Sequence, residues 1–240
     1  MRPCAARSIG SMDELAFIAA EPREFDGLLR RITEIRTEPT SFQWFRRGLW
    51  RRRPVVLIAN GAGPARSGEA ARACGCSAAI INIGFCGALI SSLGIGDVIV
   101  ADRVYFRDQA FDCKGITTPR TVSHGPVLSH SRIAATASEK EHLRKTGAIA
   151  VEMEAGAIAA FARDAGIGFY CVRSVSDLAA ESFANDFNAV LGPDGRFRVG
   201  PLVGRAFLKP FTRLPELMRL KRRCDRASEE LGDFLDSCSF

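Results

Sequence analysis

The feature that most constrains the fold of this chain is a series of short apolar runs, several of them followed by glycines and then by a segment with helical character. The clearest run, PVVLIA at 54–59, precedes a glycine-rich turn and a helix of small residues through about Cys74. Similar runs occur at 15–20, 78–83, 98–101, 148–151 and 168–175. Continuous apolar runs are typical of strands buried on both faces. Because they alternate with helices, the sequence predicts an α/β fold with a mainly parallel sheet and helices on both faces.

Other segments are predicted to connect or cover this sheet. The segment 22–35 opens with a proline and is predicted to form an amphipathic helix, and 154–165 is predicted to form a helix rich in alanine. The stretch FQWFRRGLWRRR at 42–53 is predicted to form a hairpin of two short strands. Residues 182–201 are predicted to form a long loop, whereas 215–235 has one apolar stripe at helical spacing and is predicted to dock on the core.

Length and composition exclude several classes of protein. The chain has 240 residues, of which 47% are hydrophobic and 25% are charged, as in a globular domain rather than a disordered chain. The apolar runs are interrupted by glycines and polar residues, so we predict no membrane-spanning helix. The segment before the first strand lacks the apolar core of a signal peptide. We therefore expect a cytoplasmic protein that folds as a single domain, 1–240, with a C-terminal amphipathic helical extension at about 205–236.

The cysteines and histidines do not form a recognisable pattern. Eight cysteines occur, at Cys4, Cys74, Cys76, Cys86, Cys113, Cys171, Cys224 and Cys238. They contain no CxxC spacing, so we expect reduced, mostly buried thiols rather than a disulfide framework. The three histidines, His124, His130 and His142, do not lie in a zinc-binding pattern, and we expect no metal site.

The net charge of +6 is concentrated in two places. One is the arginine group within 42–53, and the other is 205–223, where seven Lys or Arg accompany Glu216 alone. A solvated charged face is the simplest interpretation of both groups. A nucleic-acid surface is the alternative, but no nucleic-acid-binding motif accompanies the charge, so we expect no nucleic-acid partner.

Ligands of an open parallel sheet bind beyond the carboxyl ends of its strands. The candidate positions there are 21–24, 61–64, 84–88, the acidic pair Glu152 and Glu154, and Asp177. Glycines at these ends allow backbone N–H groups to approach a ligand closely. The glycines at 61, 63 and 68 also invite a dinucleotide-binding interpretation, but their spacing is wrong and no acidic residue ends the next strand.

The segment VEMEAGAIAAF at 151–161 is the most specific of these positions. Glu152 and Glu154 flank Met153 where a predicted strand meets a helix, so one carboxylate can face a pocket while the methionine offers an apolar surface. The alternative for Glu154 is that it only complements the helix dipole. The alternative for Asp177 is that it caps a helix.

Five segments together resemble a known family. They are GAGP at 61–64, INIGFCGAL at 81–89, IGDVIVAD at 95–102, AVEMEAGAIA at 150–159 and VRSVSD at 172–177. In matching order over about 15–180, they are similar to the nucleoside phosphorylase family, which includes purine nucleoside phosphorylases and methylthioadenosine/S-adenosylhomocysteine nucleosidases. The resemblance implies one three-layer α/β/α domain with a mixed, mainly parallel central sheet, and cleavage of a purine ribosyl C–N bond.

The resemblance also implies roles for individual residues. Asp177 matches the acid that protonates the departing base at N7, and Glu24 matches the acid that holds the water nucleophile in the nucleosidases. Glu154 matches the acid that binds the ribose hydroxyls, and Met153 matches the residue that packs on the sugar. The remaining substrate-binding candidates are Glu152, Phe85, Gly84 and Ser176. No metal or organic cofactor is implied, and phosphate is a candidate co-substrate.

Departures from the family pattern favour hydrolysis over phosphorolysis, which is a glycosyl transfer to phosphate. Asn82 and Phe85 stand where hexameric phosphorylases carry an Arg and a Ser for phosphate, although Arg23 and the amides of 61–63 remain candidate phosphate ligands. The stretch between Asp112 and Ala148 is shorter than in the nucleosidases. Residues 129–134 replace the base-binding GD motif, so the resemblance does not assign the purine contacts.

The tail at 193–220 is similar to that of hopanoid-associated phosphorylase-like proteins, which are thought to remove adenine from adenosylhopane, a lipid. Its apolar residues Leu208, Phe211, Leu214 and Met218 lie beside seven cations, which suits peripheral contact with an anionic inner-membrane surface. The resemblance thus implies a purine nucleosidase or nucleoside phosphorylase acting on an adenosine-type nucleoside, with adenosylhopane as the leading substrate, and a homodimer. A catalytically silent nucleoside-binding or membrane-associated protein is the alternative.

Overall fold

The computed structural model describes residues 13–207 and 209–240, apart from the side chains of Val199 and Arg205. The strands are β1 (Leu15–Ala19), β2 (Ile32–Arg36), β3 (Trp44–Trp50), β4 (Arg53–Ala59), β5 (Ala79–Ala88), β6 (Val98–Phe106), β7 (Gln109–Asp112), β8 (Ser123–Ser129), β9 (Ala150–Glu152) and β10 (Gly168–Asp177). The helices are α1 (Asp26–Leu29), α2 (Pro64–Ala73), α3 (Ala137–Arg144), α4 (Ala155–Ala165), α5 (Val199–Ala206) and α6 (Pro210–Ser237). Short 3-10 helices occupy Pro22–Phe25 and Asn188–Val190.

The strands form one mixed sheet around β1 and β5. β1 pairs in parallel with β4 and β5, and β5 pairs in parallel with β10. Gly87 and Ala88 of β5 also pair antiparallel with β9. Because β10, β6, β8 and β9 continue the pairing, these strands and β5 close into a ring. The antiparallel strands β3 and β2 extend the sheet beyond β4. The predicted α/β fold with a mixed sheet is confirmed, although parallel pairings do not outnumber antiparallel ones.

Helices cover both faces of the sheet, as predicted. Successive side chains of a strand point to opposite faces, so Ala16 and Ile18 of β1 pack toward α2 and α4. Leu15 and Phe17 of the same strand pack on the other face, toward α1 and α6. The two faces explain why β1 is apolar at every position, since a strand with one solvated face alternates instead.

α1 and α6 touch through their backbones. A Cβ atom added to Gly27 would clash with the carbonyl group of Ser228, and one added to Gly232 would clash with the backbone of Gly27. The Gly27 N–H donates to Ser228 Oγ at 3.0 Å. The C-terminal helix is therefore held directly against the segment that follows Glu24.

Two predicted elements are wrong in the first third of the chain. The segment 22–35 is not one helix, because Ile32 starts strand β2, which pairs with β3. The hairpin predicted within 42–53 is displaced: β3 is one continuous strand, and the turn at Arg51 and Arg52 leads into β4. Gly48 resembles a turn residue in the sequence, but it packs against Ile32 and Thr33 of β2, where a side chain would not fit.

The C-terminal third is more ordered than the sequence predicts. The predicted loop at 182–201 contains the 3-10 helix Asn188–Val190, and α5 begins before it ends. α6 begins five residues before the predicted start and contains Pro215. The predicted docking of this helix is confirmed, since Leu231, Phe234 and Leu235 are fully buried in the core. Leu208 lies outside the described residues.

The prediction of reduced cysteines is wrong at one described position. Six cysteines are free, but Cys76 is disulfide-bonded, so the expectation of reduced thiols is wrong for Cys76. Cys4 lies outside the described residues.

Over 13–207 and 209–240, no helix combines the length and the apolar character that a membrane crossing requires. The same residues include no group of three or more His, Cys, Asp or Glu arranged to hold a metal ion.

Candidate functional site

A cavity of about 490 Å³ lies beyond the carboxyl ends of the strands. Its polar end carries four of the predicted acids and their neighbours: Glu24, Glu152, Glu154, Asp177, Met153, Phe85 and Ser176. Its other wall is apolar and comes from the C-terminal third, with Phe183, Phe187, Phe197, Leu202, Leu217 and Leu220. Of the predicted site residues, only Gly84 is not part of the wall. The convergence expected of Glu154 and Asp177 is therefore present in one cavity.

Glu24 lies in the 3-10 helix after β1 and is 6% exposed. Its Oε2 accepts hydrogen bonds from the N–H groups of Ala20 and Glu21, both at 2.8 Å, and its Oε1 accepts one from the Phe85 N–H at 2.9 Å. A carboxylate offers about four acceptor positions, so one remains for a molecule in the cavity. Burial raises the pKa of Glu24, and the backbone hydrogen bonds oppose the change.

Gly84 contributes through its missing side chain. A Cβ atom at Gly84 would lie 2.7 Å from Oε1 of Glu24 and 3.0 Å from a guanidinium nitrogen of Arg173. Both charged groups therefore approach the backbone of β5 only because residue 84 is a glycine.

Glu152 and Arg173 form the buried base of the site. Each side chain is 1% exposed, and the Arg173 guanidinium donates to Glu152 Oε2 and to Asn82 Oδ1. Glu152 Oε2 also accepts the N–H groups of Glu154 and Ala155, at 2.9 and 2.8 Å. The acid that satisfies the N-terminus of α4 is thus Glu152, although the sequence assigns that alternative to Glu154.

Glu154 points instead across the cavity, where its Oε1 accepts the Gly63 N–H at 2.9 Å. Burial raises the pKa of Glu154 to about 8, and the negative charges of Glu152 and Glu24 add to the rise while Arg173 opposes it. The raised pKa favours the protonated form of this carboxyl. It can therefore donate one hydrogen bond and accept another, as a pair of ribose hydroxyls requires.

Asp177 is the last residue of β10 and lines the same cavity. Its Oδ2 accepts a hydrogen bond from Lys140 Nζ, and its Oδ1 lies 2.9 Å from Ser176 Oγ. Burial raises the pKa of Asp177, and the positive charge of Lys140 opposes the rise. No helix begins here, so the alternative of a helix cap does not apply.

The two ends of the site are held apart by β5. Gly84 adjoins Glu24, and Gly87, three residues further along the strand, adjoins Asp177. Three residues of extended strand span roughly 10 Å. Met153 and Phe85 line the space between the two ends and supply apolar surface.

The backbone amides among the candidate phosphate ligands already donate hydrogen bonds within the protein. The N–H of Gly61 donates to Ala20 O, that of Ala62 to Gly195 O, and that of Gly63 to Glu154. Arg23 pairs with Glu21 at 2.5 Å, and its side chain is 45% exposed. Asn82 is fully buried, and its Nδ2 donates to Ile18 O at 2.9 Å.

Residues 14–127 and 108–192 match the model of the Phosphorylase superfamily, which together is more than half of the chain. The chain belongs to this superfamily. Across 141 residues it is 30% identical to 5′-methylthioadenosine/S-adenosylhomocysteine nucleosidases of Staphylococcus aureus strains. That alignment covers 47% of this chain and 62% of the relative, so it spans less than two thirds of the relative's length.

Solved structures show the same fold as this member of the superfamily. The Helicobacter pylori 5′-methylthioadenosine/S-adenosylhomocysteine nucleosidase, in complex with a substituted pyrrolidine ligand, superposes with a TM-score of 0.70 at 14% identity, covering 94% of this chain and 97% of that one. Futalosine hydrolase of the same organism superposes with a TM-score of 0.69 at 15% identity, covering 93% and 96%.

Two charged residues of this superfamily member were not singled out in the sequence. Arg173 lies within the motif VRSVSD. The feature that could have identified it as a site residue is a charged side chain inside an otherwise apolar strand. Lys140 lies in EKEHLRK, where neighbouring charges make it resemble a solvated helix face. Of the segment 129–134, Arg132, Ile133 and Ala134 line the cavity.

Proposed function

We propose that this chain hydrolyses the N-glycosidic bond of an adenosine-type nucleoside and releases the purine base. The observation that carries the proposal is that Asp177 and Glu24 line one cavity but adjoin different residues of β5, Gly87 and Gly84, with Glu154 and Met153 in the same lining. Cleavage of this bond needs a proton on the departing base and a nucleophile on the other side of the sugar C1′ atom. The superfamily membership and the 5′-methylthioadenosine nucleosidases among the relatives support this chemistry.

Each residue has one step in the proposed mechanism. Asp177, whose pKa burial raises, donates its proton to N7 of the base, and the electron pair of the C1′–N9 bond leaves with the base. Glu154 holds the ribose hydroxyls, and Met153 packs against the sugar. Glu24 accepts a hydrogen bond from a water molecule at its remaining acceptor position and takes up the proton as that water adds to C1′.

Hydrolysis is favoured over phosphorolysis by the state of the candidate phosphate ligands. The three amides of 61–63 already donate to protein acceptors, and Asn82 donates to the backbone of β1. A phosphate dianion would therefore have to displace existing hydrogen bonds or be compensated by Arg23 alone, which already pairs with Glu21.

The test is a panel of 5′-substituted adenosines, incubated with the protein in phosphate-free buffer and again with phosphate. The panel contains adenosine, 5′-methylthioadenosine and a 5′-thioether with a long alkyl chain. We expect adenine and a free sugar without phosphate, detected by chromatography. Obligate dependence on phosphate, with a sugar 1-phosphate as product, would show a phosphorylase. Binding of these nucleosides without release of adenine would select the non-catalytic alternative.

The finer substrate proposal is that the 5′ substituent is large and apolar, as in adenosylhopane. The C-terminal third supplies an apolar wall to the cavity, including Phe197, Leu202, Leu217 and Leu220. A long alkyl chain at the 5′ position would cover this wall, and each buried methylene contributes about 0.8 kcal/mol to binding. We therefore expect the long thioether to have a lower KM than adenosine.

We further propose that this protein takes its substrate from an anionic membrane surface. Phe207, Phe211 and Met218 are 66%, 94% and 59% exposed. The exposed cations Arg219, Arg222 and Arg226 line a nearby concavity with Ile95. Glu216, the acid of this stretch, is buried and accepts the N–H groups of Ala184 and Asn185, so it does not neutralise the surface cations. Apolar side chains beside cations are typical of interfacial helices.

Sedimentation with vesicles tests this surface. We expect binding to phosphatidylcholine vesicles that contain phosphatidylglycerol, weakening as salt is added. The double substitution Phe207→Ser with Phe211→Ser should lower the partition coefficient by about tenfold, because two aromatic side chains no longer insert. Ile35→Ser, an exposed apolar residue on β2, is the matched control and should bind like the wild type.

Absence of binding at low salt would contradict the membrane proposal, as would an equal loss in Ile35→Ser. A dimer in solution that the double substitution dissociates would show instead that a second copy of the chain covers this face.

A further inference from the structure

Lys140 is a buried cation that the mechanism above does not use. It lies on α3, and its side chain is 1% exposed. Its Nζ donates to Asp177 Oδ2 and, at 2.7 Å, to the carbonyl oxygen of Leu178. Nζ also lies 5.5 Å from the ring centroid of Phe183. The ammonium group is thus surrounded by a carboxylate, a carbonyl and an aromatic face.

A cation in this position is costly for a purely structural role. Removing an ammonium group from water costs several kcal/mol, and a neutral side chain would fill the same space without that cost. Its partner is also not an arbitrary acid, because Asp177 lines the cavity. Lys140 holds only Oδ2 and leaves Oδ1 beside Ser176.

We propose that Lys140 is a positioning residue for the general acid Asp177: it fixes Oδ2 so that Oδ1 carries the proton toward the base, and it stabilises the carboxylate that remains after transfer. This inference rests on the proposed function. The O–H bond at Oδ1 breaks, the N7–H bond forms, and Lys140 stays an ammonium throughout. Ser176 Oγ has a second acceptor, Cys86 O at 3.2 Å, to which it can donate while Oδ1 is protonated.

The charges around Asp177 define what the loss of Lys140 would do. Burial is the largest effect on Asp177 and raises its pKa, and the negative charge of Glu181 adds to the rise. Lys140 and Ser176 lower the pKa of Asp177. Arg223 and Cys224 of α6 and the Cys86 thiol of β5 also interact electrostatically with Asp177. Without Lys140, burial is less opposed, so the pKa of Asp177 rises further. The acid then stays protonated to higher pH but becomes a weaker proton donor.

The test is the pH profile of kcat/KM for adenine release from 5′-methylthioadenosine, measured between about pH 5.5 and 9.5. Because the acid must be protonated, activity falls as pH rises through the pKa of Asp177. Glu154, with a pKa of about 8, can lower activity in the same range, but Lys140 contributes to the pKa shift of Asp177 and not to that of Glu154, so a displacement in the Lys140 variants reports on Asp177. In Lys140→Met we expect the maximal kcat/KM to be about 10- to 100-fold lower. The alkaline limb, which is the fall of kcat/KM at high pH, should move to higher pH by about one unit or more. Lys140→Gln keeps a hydrogen-bond donor without the charge and should shift the limb in the same direction.

Lys140→Arg retains the charge and should keep the wild-type limb even where its rate is lower. Lys145→Met, an exposed lysine just after α3, is the matched control and should leave the whole profile unchanged. Thermal unfolding shows which variants fold.

An unshifted limb in both Lys140→Met and Lys140→Gln, whatever the loss of rate, overturns the inference and leaves the proposed function intact. Failure of the wild-type protein to release adenine, or full activity in Asp177→Asn, overturns both.

Discussion

Asp177→Asn is expected to lower kcat/KM for adenine release by about 10²- to 10⁴-fold, the range attributed to a well-placed general acid. Asparagine has nearly the same shape and can still accept a hydrogen bond from Lys140, but it has no proton to transfer to N7. Binding of the nucleoside should change much less than kcat, since in the proposed mechanism Glu154 and Met153 make the contacts to the ribose. Steady-state kinetics with 5′-methylthioadenosine measure both parameters.

A matched control for this variant is Asp112→Asn. Asp112 is an exposed acid at the end of β7, paired with Arg103 and remote from the cavity lining. It should retain wild-type kinetics. Activity of Asp177→Asn within about threefold of the wild type would remove Asp177 from the role of acid, whereas equal loss in both variants would point to a general effect on folding.

Arg173→Met is expected to lower the free energy of unfolding by about 3–5 kcal/mol, the cost of leaving a buried charge without its partner. Glu152 would keep two backbone N–H donors but lose the guanidinium. Arg173 also lowers the pKa of Glu154, so its removal should raise that pKa above about 8. Urea unfolding monitored by circular dichroism measures the loss of stability.

Two comparisons isolate the buried charge as the cause. Arg173→Met with Glu152→Gln removes both charges, and glutamine can still accept the backbone N–H groups, so the double variant should recover part of the loss. Arg30→Met removes an exposed arginine from its pair with Glu229 and should change stability little. A loss below about 1 kcal/mol in Arg173→Met would contradict this account of the buried pair.

The sequence predicts the acids of the site better than the groups that hold them. Glu24, Glu154 and Asp177 each follow a short apolar run, so the rule that ligands bind at strand ends locates them without knowledge of the packing. Lys140 belongs to a helix whose charges resemble a solvated face, and only the tertiary structure turns that side chain toward Asp177. Arg173 could be flagged as a charge within a strand, but its partner Glu152 is far away in sequence.

The fold shows a similar division between local and tertiary information. The apolar run at 78–83 predicts a strand that ends before Gly84, yet β5 continues to Ala88. Pairing with β10 and β9 satisfies the backbone there, and Gly84 and Gly87 make room for Glu24 and Asp177. The segment 22–35 has helical periodicity as far as Ile32, yet pairing with β3 makes Ile32–Arg36 a strand.

The close backbone contact between Gly27 and Gly232 would, under the proposed function, couple the size of the substrate to the rate of its cleavage. The same helix that rests on Gly27 also contributes Leu217 and Leu220 to the apolar wall, so a 5′ group too bulky for the wall would press on that helix. Because Ser228 of that helix also contacts the backbone of Glu24, such a movement would disturb the position proposed for the nucleophilic water. Nucleosides with an oversized 5′ group should therefore be cleaved more slowly as well as bound more weakly. The contact between Gly27 and Gly232 would in this way limit the length of the 5′ group.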